Sequence, residues 1–511
     1  MIGLNDAGTE KTLSMTGEGH AEVAIHDPLN PFGSVHAEVL TPVFQCDAVY
    51  GLNSNLQRTT VSGTGSATAS DSMFTCSTGT TIYSQATIQS RKRLRYRAGQ
   101  GAGARFAGLF TTPVASSYQV MGAGHPEDGY FFGYQGTTFG ILKSSRGVRE
   151  IQTLTVSTGS STAENVTVTL AGTAFTVAVT NSGSTSKTAW EISQGTYTGW
   201  RTEQIGSTVI FLSDSVGNKT GTFSLTATTA VGSFAETLAG VATTDTFIAQ
   251  SSWNGDKLDG TGASGVTLDP TKNNVYQIGI QYLGAGTVVF KVMVCGVDGN
   301  NPIWVVAHTI RNPNTLTTTH VGNPAFPFTM ATYSAGSTTN LTVKCGSFAG
   351  FIEGEKVLHG NRLSYFNSLT TVGATNLQAL FTIRNRYTFG SRSNQAVINI
   401  LSVHAALKHT SPCIIYLIRN GTLGGSPVFS NYATVSCAAF DNTATTVTYS
   451  TNDQLVWTGH LGDTGEIDHH FIGGIKEEIT LQPGEWITLA ARAVTGTPAY
   501  VTGSINTRED I

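Results

Sequence analysis

The run RKRLRYR, Arg91 to Arg97, is a basic cluster whose guanidinium forks suit phosphate or an anionic sugar. If the segment is a strand, Arg91, Arg93, Arg95 and Arg97 share one face, and Leu94 and Tyr96 the other. That face is either solvated beside an acidic neighbour or in contact with such a ligand, so Arg91, Arg93 and Arg95 are candidate contact residues. A second group is aromatic: Tyr130, Phe131, Phe132, Tyr134 and Phe139 lie within one predicted hairpin. Alternation sends Phe131 and Phe139 inward and leaves Tyr130, Phe132 or Tyr134 outward. There the rings would pack on another domain or subunit, or stack against a sugar.

Other chemistries find less. His469 and His470 are adjacent, with Asp468 beside them in GEIDHHFIGG. Neighbours on a strand point to opposite faces, so one chain does not easily aim both imidazoles at one ion. Asp256, Asp259 and Asp269 in DKLDGTGASGVTLD resemble a calcium loop, but the spacing and terminal glutamate of an EF-hand are missing, which favours Asp-Gly turns. GQGAG, Gly99 to Gly103, lacks the following helix that would hold a pyrophosphate, so it reads as a tight turn or close backbone packing. No serine sits in G-x-S-x-G and no Gly-Lys dipeptide occurs, which removes the nucleophile elbow and the P-loop. No Asp/Glu pair stands out for glycoside cleavage. The expectation is a protein that is not an enzyme, with no catalytic, cofactor-binding or metal residues and no cofactor.

The elements that carry these residues are strands. Short alternating runs such as NVTVTLAGTAFTVAVT, Asn165 to Thr180, are separated by Gly, Asn-Gly, Asp-Gly and Ser-Gly turns almost from end to end. Helical periodicity is confined to SKTAWEISQ, Ser186 to Gln194, with Ser184 or Thr185 as N-cap. The predicted fold is all-β: a multi-domain β-sandwich and jelly-roll protein with one inserted β-rich module and very little helix. Residues 1–90 read as an amino-terminal arm plus first strands. Residues 91–155 with 246–355 read as one discontinuous β-sandwich. Between them the chain turns more polar and Thr-rich, then resumes its bulkier pattern, so 156–245 reads as an insertion whose two ends must lie close together. Residues 356–511 read as a carboxyl-terminal jelly-roll or knob-like domain.

Composition limits the partners. Of 511 residues only 12% are charged, against about 25% in an ordinary soluble protein, and the net charge is −4. Solubility therefore rests on hydroxyls and amides, and no global field attracts nucleic acid or an anionic membrane. No apolar run approaches the ~18 residues needed to cross a bilayer, so no membrane insertion is expected. The start, MIGLNDAGTEKTLSM, lacks the basic and apolar segments of a secretory signal, which predicts a protein made in a cytoplasm and left there. Six scattered cysteines predict reduced thiols.

Several strings resemble structural proteins of tailed bacteriophages and large marine DNA viruses. They are RAGQGAGARFAGLFTTPVASSYQVMGAG (Arg97 to Gly124), DGYFFGYQGTTFGILKSSRGVREI (Asp128 to Ile151), KLDGTGASGVTLDPTKNNVYQIGIQYLGAGTVVFKV (Lys257 to Val292), HTIRN and FIEGE. The match skips the inserted region, which itself resembles a small β module of phage tail proteins through VTVTLAGTAFTVAVT and GSTVIFLSDSVGNKTGTFSLT. The resemblance implies a concanavalin-like, lectin-type sandwich over 91–155 and 246–355, docking of the 1–90 arm on the virion, a knob-like terminal domain and a location in the virion after release by lysis. It implies a tail fibre or tail-associated protein that attaches to the host surface through multivalent β domains. The partners implied are other virion proteins, further copies in a homotrimer and a host surface glycan. A capsid decoration or minor capsid protein, and a polysaccharide-binding or depolymerising tail protein, are the alternatives.

Overall fold

A computed structural model describes residues 2–4, 10–12, 40–295, 302–354, 360–408, 411–451, 454–462, 465–471 and 479–511. Most of the expected amino-terminal arm, 1–39, lies outside them. The chain is 58% strand and 3% helix, arranged in several antiparallel sheets, so the fold is all-β.

The first unit is a two-sheet sandwich. One sheet has seven strands in the order 244–249, 138–145, 128–135, 117–125, 328–334, 85–90, 57–62. The other has eight, in the order 302–310, 288–295, 274–280, 102–110, 342–353, 73–77, 66–70, with 40–47 also pairing with 342–353. Strands between 40 and 90 therefore belong to both sheets. Their alternation matches the burial, as in Gln85–Ser90, where every second side chain is buried. The core between the sheets is aromatic: Phe328 stacks on Phe348 at 4.1 Å between centroids, and Phe106 on Tyr276 at 5.4 Å. GQGAG packs closely, as its sequence predicts. The Gly101 amide donates to Glu353 Oε2 at 3.1 Å, and a Cβ on Gly103 would come within 2.7 Å of the Phe351 ring.

The intervening module begins at Arg149, before the residue 156 read from composition, because strand Arg149–Thr158 already pairs with Thr208–Val216 and Val231–Leu238. Its ends meet. Val148 bridges Val241, and Thr138–Ser145 of the sandwich pairs with Thr244–Ala249. A four-stranded and a three-stranded sheet enclose a core of its own, including Leu154, Val168, Ile192 and Phe211. Helix Thr185–Ser193 is capped by Ser184, whose hydroxyl accepts from the Lys187 amide at 3.3 Å. Glu164 accepts hydrogen bonds from Thr229, Ser160 and neighbouring amides, which hold its carboxyl well below the usual carboxylate range.

The last unit packs two six-stranded sheets. The first runs 361–366, 499–510, 397–407, 466–470, with 370–372 and 479–481 on its edges. The second runs 430–431, 438–441, 378–385, 486–493, 413–419, 455–461. Of the residues whose spacing suggests its core, Leu380, Ile398, Ile400, Ile415, Leu417 and Ile487 are buried, whereas Ile414 and Val456 are only partly so. The terminal strand Ala499–Asp510 is central, pairing with three others.

All six cysteines are free thiols; five are buried and Cys295 is exposed. Burial pushes the Cys76 thiol up to about 12 and Cys413 up to about 11, and raises Cys345 and Cys437 as well. Since the thiolate is the reactive form, a thiol reagent at neutral pH should titrate Cys295 rapidly in the native protein and all six only after denaturation. A native count of two or more fast thiols, or fewer than six in denaturant, would contradict this arrangement.

Candidate functional site

The arginine run does not form the strand its spacing suggests. Only Leu94 makes a β-bridge, to Phe326, and it is buried, while Tyr96 packs edge-on against Tyr282 at 4.8 Å. The arginines reach across to the terminal unit. Arg91 Nη1 pairs with Glu485 at 2.5 Å, Arg93 donates to the Gln395 side chain, Arg95 to the Gln395 carbonyl, and Arg97 pairs with Asp510. The acidic neighbours are thus supplied by residues some 400 positions away. Arg91 and Arg97 have the acidic neighbours expected beside a solvated face, but the expected strand is corrected to an irregular segment that staples two units.

The aromatic hairpin also departs from expectation. Tyr130, Phe132 and Tyr134 face inward and are 0%, 0% and 7% exposed. The reason is that Asp128–Gln135 is an interior strand flanked on both sides, and its even-numbered positions face the opposite sheet. Phe131 lies on the outer side of its sheet, over Gly124 and Gly129, where an added Cβ would stand 2.4 Å from the ring. These missing side chains make the seat that buries it. None of the three expected outward rings is available to a sugar. Phe139 is inward, as its spacing predicts.

The inserted module completes the junction. Glu203, 1% exposed, accepts from the Tyr387 amide at 2.6 Å and the Thr388 hydroxyl at 2.5 Å, with Arg386 Nε at 3.6 Å. Gln204 Oε1 accepts from the Phe429 amide, Arg384 lies 4.1 Å over the Phe429 ring, and Trp190 packs on the same ring at 5.9 Å. Removing a buried carboxylate while leaving its guanidinium in place typically costs about 3–5 kcal/mol. Glu203→Ala should therefore destabilise the contact between module and terminal unit by about that much. It would be read as an earlier melting transition and faster proteolysis near Arg386, with Glu203→Gln less affected. Unchanged melting in Glu203→Ala would show that the contact adds nothing to stability.

Where sandwich, module and terminal unit meet, a cavity of about 50 Å³ is lined by Arg58, Arg91, Arg93, His125, Arg149 and Arg201, with Gln395 and Tyr387 among the others. Burial and neighbouring arginines push Arg93 down to about 9, and Arg58 and Arg149 to about 10. Burial, with Arg93 adding to it, depresses His125 to about 3, so that imidazole is neutral at physiological pH. Among these residues the sequence pointed only to Arg91 and Arg93. Arg58, Arg149 and Arg201 are single charges in separate strands with no local signal.

A second cluster lies on the exposed face of the terminal sheet. Ser402 Oγ is 3.1 Å from His404 Nε2, His404 Nδ1 is 3.0 Å from Asp468 Oδ1, and His470 Nε2 is 3.3 Å from the same oxygen. An open depression of about 390 Å³ adjoins His404 and Asp468. The order serine, histidine, carboxylate is that of a proton relay, but Ser402 is 2% exposed and its hydroxyl also accepts from Asn506 at 2.9 Å. His469 faces the other way and stacks on Trp457 at 5.3 Å, as strand alternation requires. Asp259 and Asp269 accept from the hydroxyl and amide of Thr261 and Thr271, bonds that lower both carboxyls. These aspartates close local turns. Among the described residues no group of three or more His, Cys, Asp or Glu is placed to hold a metal ion.

No family model and no curated protein matches the chain. Among solved structures, the Faustovirus major capsid protein aligns at 8% identity over 86% of this chain and 90% of that chain, with a TM-score of 0.12. At that score the alignment carries no argument about shared fold or activity.

Proposed function

We propose that this chain is a virion structural protein, and within that class a tail fibre or tail-associated component that contributes to host attachment. The observation that carries this reading is the junction, where ion pairs, hydrogen bonds and ring contacts join three β units and so resist hinge motion between them. A projecting attachment protein needs that rigidity, because weak contacts multiply only when symmetry and geometry let them engage together. The virion-protein strings in the sandwich and the module support it from the sequence side. Homotrimerisation through the terminal unit belongs to the same proposal. Phe366, Leu369 and Tyr500 are exposed there, at 66%, 44% and 39%, the first two on or beside strands that pair with the terminal strand and Tyr500 on that strand itself. Exposed apolar side chains of this kind suit subunit packing.

Labelling the protein on intact particles tests the role. Signal on the tail supports the fibre reading, signal over the shell replaces it with a capsid decoration role, and absence from particles rejects both. Light scattering on the full chain should give a trimer that Phe366→Arg weakens; a monomeric wild type would reject self-association.

A second reading, a tail protein that acts on a surface polysaccharide, is favoured by Ser402, His404 and Asp468. It ranks below the first because Ser402 is enclosed. A halo around protein spotted on host lawns, lost in Ser402→Ala, would promote it.

A further inference from the structure

The cavity at the three-unit junction carries an inference that does not depend on the virion reading. Five arginines, Arg58, Arg91, Arg93, Arg149 and Arg201, line it, and no carboxylate does. Three of the five have acidic partners behind the wall: Arg91 pairs with Glu485 at 2.5 Å, Arg201 with Asp214 at 2.7 Å, and Arg149 Nε lies 3.5 Å from Glu127. Arg58 and Arg93 form no ion pair among the described residues; Asp214 and Glu127 act on them only from farther off and are already paired with Arg201 and Arg149, so five arginines share three carboxylates and two positive charges remain in excess. The Nε groups of Arg93 and Arg149 are buried without a hydrogen-bond acceptor, and Arg149 is 5% exposed. Buried donors in native proteins are normally satisfied, and like charges held this close repel one another.

We infer that the junction binds one small tetrahedral oxyanion, with inorganic phosphate as its representative, among Arg58, Arg93 and Arg149. A dianion matches the two uncompensated charges. Guanidinium groups present the planar, forked donors that phosphate oxygens accept. Size limits the ligand: a space that holds one water needs about 10–15 Å³, so about 50 Å³ takes one ion with four oxygens and excludes a nucleotide or a sugar phosphate. Because Arg58 and Arg93 belong to the sandwich and Arg149 to the start of the module, the ion ties these two together, in a cavity that Gln395 of the terminal unit also lines.

The test uses the full chain, exchanged into chloride buffer and titrated with sodium phosphate at constant ionic strength. The expected result is one saturable site per chain by calorimetry and a melting temperature raised by phosphate above that in matched chloride. Arg58→Gln, on an outer strand, should melt no lower than wild type in chloride, since it removes one of the repelling charges, and lose at least tenfold in phosphate affinity. Arg146→Gln, whose guanidinium bonds to Thr319 outside the cavity, should bind as wild type does. If Arg93→Gln does not fold, Arg58→Gln still decides. Phosphate and chloride acting alike, equal losses in Arg58→Gln and Arg146→Gln, or tighter binding of glucose 6-phosphate than of phosphate would each overturn the assignment.

Discussion

Replacing Phe132 by alanine is expected to lower the unfolding free energy of the sandwich by about 3–5 kcal/mol, the usual cost of deleting a buried phenyl ring. Phe132 is fully buried, 4.8 Å from Tyr276, 5.3 Å from Phe290 and 6.1 Å from Trp253 by ring centroids. Its neighbours are large rings, Tyr276 and Phe290 on strands of the facing sheet and Trp253 at the end of the turn Gln250–Ser252, so the site cannot collapse easily and most of the cavity term remains. Tyr50, 98% exposed, provides the contrast, since Tyr50→Ala should change stability by no more than about 0.5 kcal/mol. Denaturant unfolding of both variants, with the slope checked for constancy, measures the difference. Equal effects at the two positions would mean that the inward face of Asp128–Gln135 has been misassigned and would reopen Phe132 as a surface contact.

Acidification from pH 7 to pH 4 is expected to destabilise the protein markedly, through two histidines buried as neutral rings. Burial depresses His125 to about 3 and His320 to about 4, against an unperturbed value of 6.5. Tyr130 Oη meets His320 Nδ1, so the ring is also held in place. In the unfolded chain both take up protons as the pH falls through about 6.5, whereas the folded chain takes them up only near the depressed values. The unfolded state therefore binds more protons over that interval, and stability falls with falling pH until about pH 3–4. The combined depressions correspond to a loss on the order of several kcal/mol. Glu127 and Asp128, whose carboxyls burial raises, offset part of it, because the folded state takes up their protons first. Urea unfolding at pH 7, 5.5 and 4.5 measures the slope, and His125→Asn should flatten it. Equal stability at pH 7 and pH 4.5 would count against neutral burial of these rings.

The amino-acid sequence alone determined the local architecture. Period-two alternation marked the strands, Gly and Asn turns marked their ends, and Ser184 marked the start of the one α-helix among the described residues. The change in composition around residues 156 and 245 marked an intervening module. These features depend on interactions within a few residues, which any window of sequence contains. Its start at Arg149 was less legible, since the same strand that leaves the sandwich already pairs within the module. Tertiary structure decided the rest. Alternation says that Phe131 and Phe132 face opposite ways but not which way is inward. That depends on where the second sheet lies, and the glycines at 124 and 129 let the outer ring be buried as well. Whether Arg91 to Arg97 forms a strand, meets a ligand or staples two units depends on Glu485, Gln395 and Asp510, hundreds of residues away. Ser402, His404 and Asp468, like Arg58, Arg93 and Arg149, converge only because sheet pairing and unit packing bring distant strands together. Long-range register leaves no local signature, so both sites became visible only in the folded chain.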